Sequence, residues 1–451
     1  MKHLKFIGLS VMGFLFFLMP VTFNGESKIM ISHIVNGVTT YMLDSFITLT
    51  IIMSWIVLVM TLIFTVYTSK SNTLNDVFKT SPLNVLLRVL GSLLYLMVVH
   101  QWLKGNIIAD VFIDPNTGGV MVGDEGLLTT LYITFLVGIL ALPLLTHFGV
   151  VEFIGTLLGP VVVKLFKVPG YSTIDAIASF VGDGTIGIVV TDQQYQRGYY
   201  NRREAYIIAT SFSIVGIAFA AAVAEELRFG HIFPIFYGSI VVITILLAFI
   251  TSRMPLKKFT ETYYPGTTPK SMAVPNDISL LKHSYNLAIK QADQVRLFQV
   301  LKEALLNVIN IYVGFLPIIM TVGTLSLIIA EYTPFFSVIS LPFTYLYEWL
   351  GYAPSTAEMM APASLAGFAD MYLPALFITS ATSEASRFFI GVLAFTQLVF
   401  LSETGMILVK TKIGLNFIDI VKVFLFRTLF SIPFLYLITQ LLVWQDIIQF
   451  Y

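Results

Sequence analysis

Cysteine is absent from all 451 residues, so neither a disulfide framework nor thiolate chemistry is available to this chain. Charge is scarce as well: Asp, Glu, Lys and Arg make up 12% of positions, against about 25% in ordinary soluble domains. The 26 basic and 26 acidic residues cancel, which removes the electrostatic ground for a nucleic-acid partner. The six histidines are scattered and form no HExxH pair, and no GxxxxGK[ST] loop is present to hold a nucleotide phosphate. No catalytic Ser/His arrangement or aspartyl pair stands out either. The sequence therefore predicts no enzyme, no metal site and no cofactor beyond a coupling ion, sodium or a proton.

What is present is apolar. Hydrophobic residues fill 57% of positions, and the mean hydropathy is +0.84. Crossing roughly 30 Å of hydrocarbon as a helix takes about 20 apolar residues. By that measure, spans lie near 4–23, 43–68, 86–103, 126–147, 204–227, 231–251, 305–330, 388–409 and 427–447. The first is read as a span rather than a cleaved signal, because no small-x-small cleavage pattern stands near Pro20–Glu26. Three other stretches are apolar but broken. Residues 149–168 contain Gly155, Gly159 and Pro160, residues 171–194 contain Gly182, Gly184 and Gly187, and residues 333–381 carry five prolines and two glycines. The long hydrophilic stretch 252–302 reads as a linker whose second half has helical spacing through Leu281, Tyr285, Ala288, Ala292 and Val295.

A repeat divides the chain at that linker. STIDAIA (Ser172–Ala178) and STAEMMA (Ser355–Ala361) each follow a Gly-Tyr pair closely, and VGILALPLLTHFG from Val137 aligns with VGFLPIIMTVG from Val313. Each copy continues into a long span that carries a glutamate. Lys and Arg mark cytoplasmic loops. They flank the first broken segments (Lys164, Lys167, Arg197, Arg202, Arg203) but are missing from Glu303 through Ser386. The expected fold is an all-α integral membrane protein of about nine spans plus two re-entrant hairpins in an inverted repeat. Its parts are N-terminal transmembrane helices (1–105), a first repeat (126–251), a cytoplasmic linker with an amphipathic helix (252–302), a second, inverted repeat (303–410) and a surface helix with a final span (411–451). The N-terminus would be cytoplasmic, in a multi-pass protein of the inner (plasma) membrane.

Irregular backbone at membrane depth must be buried in protein or line a watery cavity. Two hairpins meeting from opposite faces would make such a site near the midplane, so the polar residues there are the candidates. Asp183 and Thr185 occupy the Gly182–Thr185 break, where a turn-capping role for Asp183 is equally open. Glu403 stands alone in an apolar span, where an unpaired carboxylate costs about 3 kcal/mol or more, and is read as an ion-coupling or substrate group. Asp175 and Glu358 are repeat mates, each three residues after a Ser, so ion coupling competes with a helix capping box. Glu225 is placed in the cavity. Ser364 and Asp370 belong to the second hairpin's turn. Glu384 and Arg387 are one helical turn apart and form either a surface ion pair or a substrate site in which Arg387 holds a carboxylate. Tyr171, Tyr345, Trp349 and Tyr352 read as interfacial anchors.

The runs LPLLTHFG from Leu142, STIDAIASFVGDGTIGIVV from Ser172, RREAYIIATSFSIVGIAFAAAVAEEL from Arg202 and STAEMMAPASLAGFADMYLP from Ser355 resemble the YjiH-type family of membrane proteins carrying the nucleoside-recognition (Gate) domain, over about residues 126–410. The resemblance implies a distant relation to concentrative nucleoside transporters, in which two re-entrant hairpins and two broken helices surround a substrate and a sodium ion or proton. The Gln-Thr-Glu hairpin motif of those transporters is missing here, since the first break is Gly-Asp-Gly-Thr. The expected function is thus ion-coupled secondary transport of a small polar solute (an amino acid, small peptide or nucleoside) by alternating access. A passive channel or gate, and a non-transporting assembly or signalling protein, stay open as alternatives. The expected partners are a small-molecule substrate and the lipid bilayer, with homo-oligomers compatible with this picture.

Overall fold

The computed structural model describes residues 2–23, 26–122, 127–170, 172–181, 184–213, 216–256, 258–269, 279–378, 382–401 and 404–450. Six helices among them are long and apolar enough to cross a membrane: Met30–Val66, Pro82–Val99, Leu128–Thr146, Gly230–Arg253, Leu297–Tyr332 and Phe417–Trp444. The chain is a multi-pass helical membrane protein. Each of the six overlaps one predicted span, although their ends differ. Met30–Val66 has 37 residues, about 55 Å of helix, well beyond the hydrocarbon thickness. Its first turns carry His33, Asn36 and two threonines, which lowered the hydropathy there without disfavouring helix.

The other three predicted spans are not single helices. The first ends early: the helix Lys2–Phe17 gives way to strand Pro20–Phe23, which pairs antiparallel with Glu26–Ile29 in the register Pro20↔Ile29 through Phe23↔Glu26. Proline disfavours continued helix at 20, and Asn-Gly at 24–25 is the pair that two-residue hairpins favour. This small sheet departs from an all-helical expectation. The spans expected at 204–227 and 388–409 are each split into two. One ends at Ser211 and restarts at Ile217, and the other ends at Gln397 and restarts at Thr404.

Upstream of each split helix stands a pair of shorter helices, Ser172–Val181 with Gly184–Gln196, and Pro354–Ala366 with Leu373–Phe377. Each pair is preceded in turn by a further helix packed on its first arm, Val150–Phe166 and Leu341–Trp349. The expected surface helix of the linker is Leu280–Gln294. It buries Ala288 and Ile289 against Phe6 and the ring neighbourhood of Phe153, so it is clamped to the protein as well as amphipathic.

Close packing joins the long helices. A Cβ at Gly91 would run into the Pro317 carbonyl, so only glycine permits this approach, and the nearby Thr321 hydroxyl donates to Leu87 O at 2.6 Å. Leu297–Tyr332 is interrupted by a wider π turn at Ile311–Phe315, where the Tyr312 hydroxyl donates to Tyr132 O at 2.5 Å. At the centre, the Phe219 ring lies 5.3 Å from Phe135, 5.5 Å from Phe315, 6.0 Å from Tyr372 and 6.2 Å from Phe395. One aromatic side chain just past the first interruption thus touches both split helices and the second helix pair.

Candidate functional site

An interrupted helix leaves carbonyls at the end of its first piece without their usual partners. Here a single guanidinium meets two such ends. Arg427, 1% exposed, donates from Nε to Thr396 O at 2.7 Å and from Nη1 to Thr210 O at 3.2 Å. Thr210 and Thr396 are the penultimate residues of their helix pieces, where the helix dipole is negative and a cation is favoured. Arg427 was missed in the sequence because it stood at the edge of the predicted 427–447 span. The helix in fact begins at Phe417, fixed by a capping box in which the Asn416 side chain accepts from Asp419 N and the Asp419 carboxylate accepts from Asn416 N. That places Arg427 about 15 Å into the helix. The Asn-x-x-Asp spacing was the available signal.

The second split helix is tied to the second helix pair through the backbone. Leu401 N donates to Phe368 O at 2.8 Å, and Gln397 Nε2 donates to Ser364 O at 2.7 Å and to Thr428 Oγ1 at 3.0 Å. Leu398 adopts φ 61°, a left-handed conformation that costs a non-glycine residue about 1–3 kcal/mol, and the Thr404 hydroxyl bridges the same turn by donating to Leu398 O at 3.0 Å. Ser364 is buried, with its hydroxyl 2.6 Å from Tyr347 OH and 2.8 Å from Met360 O. Asp370 is buried and accepts from Tyr372 N at 2.8 Å, a local Asx turn.

Two arginines cross between the halves in matching positions. Arg202, opening the first split helix, donates to Ile413 O at 2.7 Å, just beyond the end of the second split helix. Arg387, in the first turn of the second split helix, donates to Leu227 O at 3.0 Å, just beyond the end of the first. Arg387 also lies over the Phe229 ring at 5.7 Å. Glu384 is engaged elsewhere, accepting from Gln449 N at 2.9 Å, so each member of the expected pair has its own partner.

The remaining candidates are placed as follows. Asp175 is half-buried and accepts from the Tyr200 hydroxyl at 2.6 Å. Glu358 is exposed on Pro354–Ala366, a helix that has no side-chain N-cap. Glu358 therefore does not form a capping box with Ser355; among the described residues such boxes occur at Asn201/Glu204 and Asn416/Asp419. Glu225 faces Ser32, Lys28, His33 and His231. It is Glu226 that faces the Tyr372 hydroxyl, beside Asp370 and Arg228. Thr185 lies on Gly184–Gln196, its side chain outside the described residues, as are Asp183 and Glu403 entirely. Tyr345 and Trp349 are exposed, as membrane anchors would be, whereas Tyr352 is buried and stacks on Phe450 at 5.2 Å. Tyr171 lies outside the described residues.

Residues 128–230 match the family model Gate, described as nucleoside recognition. A protein of Alkalihalophilus pseudofirmus, described as uncharacterized, is 35% identical over 443 residues, which is 96% of this chain and 93% of that one. Among solved structures, CNTnw in an inward-facing substrate-bound state is similar with a TM-score of 0.45 at 11% identity over 97% of this chain and 96% of that one. A doubly substituted CNTnw in an outward-facing state gives 0.44 at 13% identity over 98% of each. With the Gate match covering the first helix pair and first split helix, and a relative aligned along nearly its whole length, the chain belongs to the YjiH-type family of membrane proteins that carry the nucleoside-recognition (Gate) domain.

Proposed function

We propose that this protein is an ion-coupled secondary transporter that moves a small polar solute across the cell membrane by alternating access. The carrying observation is the pair of interruptions, Ser211 to Ile217 and Gln397 to Thr404, in two segments that are predominantly apolar around each break. A membrane protein has no reason to open helix backbone in lipid, and opened backbone of this kind is used to hold substrates and ions. In this reading the two helix pairs are re-entrant hairpins entering from opposite faces of an inverted repeat. Arg202 and Arg387 then brace opposite faces, since each joins the start of one split helix to the end of the other.

The solute would sit between the second hairpin's turn and the outer piece of the first split helix. Glu226, Tyr372, Asp370 and Arg387 supply acceptors, a hydroxyl and a cation there, a set suited to a zwitterion such as an amino acid or small peptide as well as to a nucleoside. Asp175, Asp183, Thr185 and Glu403 remain the proposed ion-coupling and substrate residues nearer the first hairpin and second interruption.

Reconstitution into proteoliposomes tests this. Labelled nucleosides, zwitterionic amino acids and dipeptides are offered with an imposed sodium or proton gradient. We expect one class to accumulate above its equilibrium level and to leak back when the gradient is dissipated. Glu226→Gln should reduce that uptake about tenfold or more, the equivalent of one charged hydrogen bond. Flux that only equilibrates would make the protein a passive gate. Absence of both flux and solute-induced stabilisation would make it an assembly protein. Labelling of Arg197 and Gly351 on the same membrane face would remove the inverted arrangement.

A further inference from the structure

Arginine offers five N–H donors, and a buried guanidinium that leaves some of them unpaired carries a desolvation cost. Arg427 uses Nε and Nη1 on Thr396 and Thr210, while Nη2 is buried and has no partner among the described residues. Arg427 also lines a cavity of about 140 Å³, where about 10–15 Å³ admits one water. Its polar lining consists of Tyr206, Thr210, Thr251, Lys422 and Arg427, and the rest is apolar. No carboxylate is among the lining residues. The nearest acid along the helix, Asp419, is taken by Lys258 and by Asn416 N. Lys422 is exposed at the mouth, and the Tyr206 hydroxyl lies within electrostatic reach of Arg427.

Arg427 brings an idle donor to a cavity whose lining holds no carboxylate, and Lys422 at the mouth shares its nearest acid, Asp419, with Lys258, so the site carries more positive than negative charge and suits an anion. We infer that this cavity binds a small oxyanion, a carboxylate or phosphate group, held by Arg427 and Lys422. The group can belong to a free anion or to an anionic lipid whose headgroup enters past Lys422. Because the same guanidinium holds the Thr210 and Thr396 carbonyls, an occupant competes for the group that joins the two split helices. The site is separate from the solute pocket proposed above, and its test reads binding and not flux.

The experiment uses the full chain. In detergent, thermal unfolding is followed against inorganic phosphate, with sodium chloride at equal ionic strength as the control. In parallel, unfolding is compared between nanodiscs of phosphatidylglycerol and of phosphatidylcholine. The expected result is saturable stabilisation by phosphate, with affinity about tenfold weaker in Lys422→Gln, the loss of one charged contact. Arg427→Gln should abolish it, but that variant can fail to fold, which is why Lys422→Gln at the exposed mouth is the deciding one. Stabilisation by phosphatidylglycerol alone, lost in Lys422→Gln, supports the site with a lipid phosphate as its occupant. No stabilisation by either probe, or equal stabilisation of wild type and Lys422→Gln, overturns it.

Discussion

The two helix pairs begin with similar sequences and end differently. The first has arms of 10 and 13 residues, Ser172–Val181 and Gly184–Gln196, and is held by hydroxyls: Tyr200 on Asp175 at 2.6 Å and Tyr237 on Phe180 O at 2.5 Å. The second has arms of 13 and 5 residues, and its wider turn is bonded to the neighbouring split helix through Leu401 N on Phe368 O and Gln397 on Ser364 O. A hydroxyl contact can be exchanged for water or for another acceptor with little rearrangement. A backbone bond between two opened segments cannot be exchanged without refolding one of them. The first pair's ties, which include Lys412 N donating to the Asp192 carboxylate, thus run through its side chains, whereas the second pair is joined to its split helix through the backbone.

Arg427 serves both halves, so removing it should have the largest effect. Arg427→Met keeps much of the side chain's length and strands the Thr210 and Thr396 carbonyls, each at a cost of about 1–3 kcal/mol when buried without a donor. A loss of about 2–6 kcal/mol is expected, read as earlier denaturation with increasing SDS in mixed micelles. If the variant unfolded at the wild-type midpoint, the two split helices would not be coupled through this residue and the comparison would lose its common element.

A second test separates the pairs by their hydroxyls. Tyr200→Phe leaves the half-buried Asp175 carboxylate without its described donor, and a hydrogen bond to a charged group contributes about 1.5–3 kcal/mol. Tyr347→Phe also removes a hydroxyl from a helix-pair contact, yet Ser364 still donates to Met360 O, so the loss should stay below about 1 kcal/mol. The same SDS titration, run on both variants, is expected to rank Tyr200→Phe as clearly the weaker protein. Equal midpoints would mean that the first pair is not held at Asp175.

Much of the fold was readable from hydropathy, and the reason it stopped short is physical. Six of nine predicted spans exist as long helices because a bilayer demands apolar length, which composition reports directly. The interruptions escaped notice because opening a helix requires partners for its amides and not polar residues: FSIVG after Ser211 and LVFLSE after Gln397 contain no proline and only one glycine between them. Their partners, Arg427 and Phe368 O, come from over thirty residues away or more in the chain, beyond any local pattern. The choice between Glu225 and Glu226 was likewise invisible, since adjacent residues on a helix differ by about 100° in direction and only packing shows which faces Tyr372. Arg387 was legible as a candidate by its place at a polar helix start. Its acceptor, a backbone carbonyl at Leu227, was not.

The smallest expected effect compares one glycine from each pair, Gly187 inside the second arm of the first and Gly367 at the end of the first arm of the second. A Cβ at Gly187 would strike the Ser179 hydroxyl, which sits on a short side chain with nowhere to retreat and already donates to Asp175 O at 3.0 Å. At Gly367 the obstacle is the Gln397 carboxamide oxygen, the far end of a longer side chain; that oxygen has no hydrogen-bond partner among the described residues, while Nε2 of the same group is held by Ser364 O and Thr428 Oγ1. Overpacking costs about 1–3 kcal/mol, partly offset by the gain of about 1 kcal/mol when alanine replaces glycine inside a helix. Gly187→Ala, mid-helix, should therefore come out destabilised by about 1 kcal/mol, and Gly367→Ala close to neutral, in thermal unfolding of the purified protein. The sign of that difference matters more than its size. If Gly367→Ala proved the more damaging, the turn of the second pair would be less tolerant than the length of its glutamine neighbour implies, with the Gln397 carboxamide fixed by its bonds to Ser364 O and Thr428 Oγ1 and the turn by the backbone bond at Phe368.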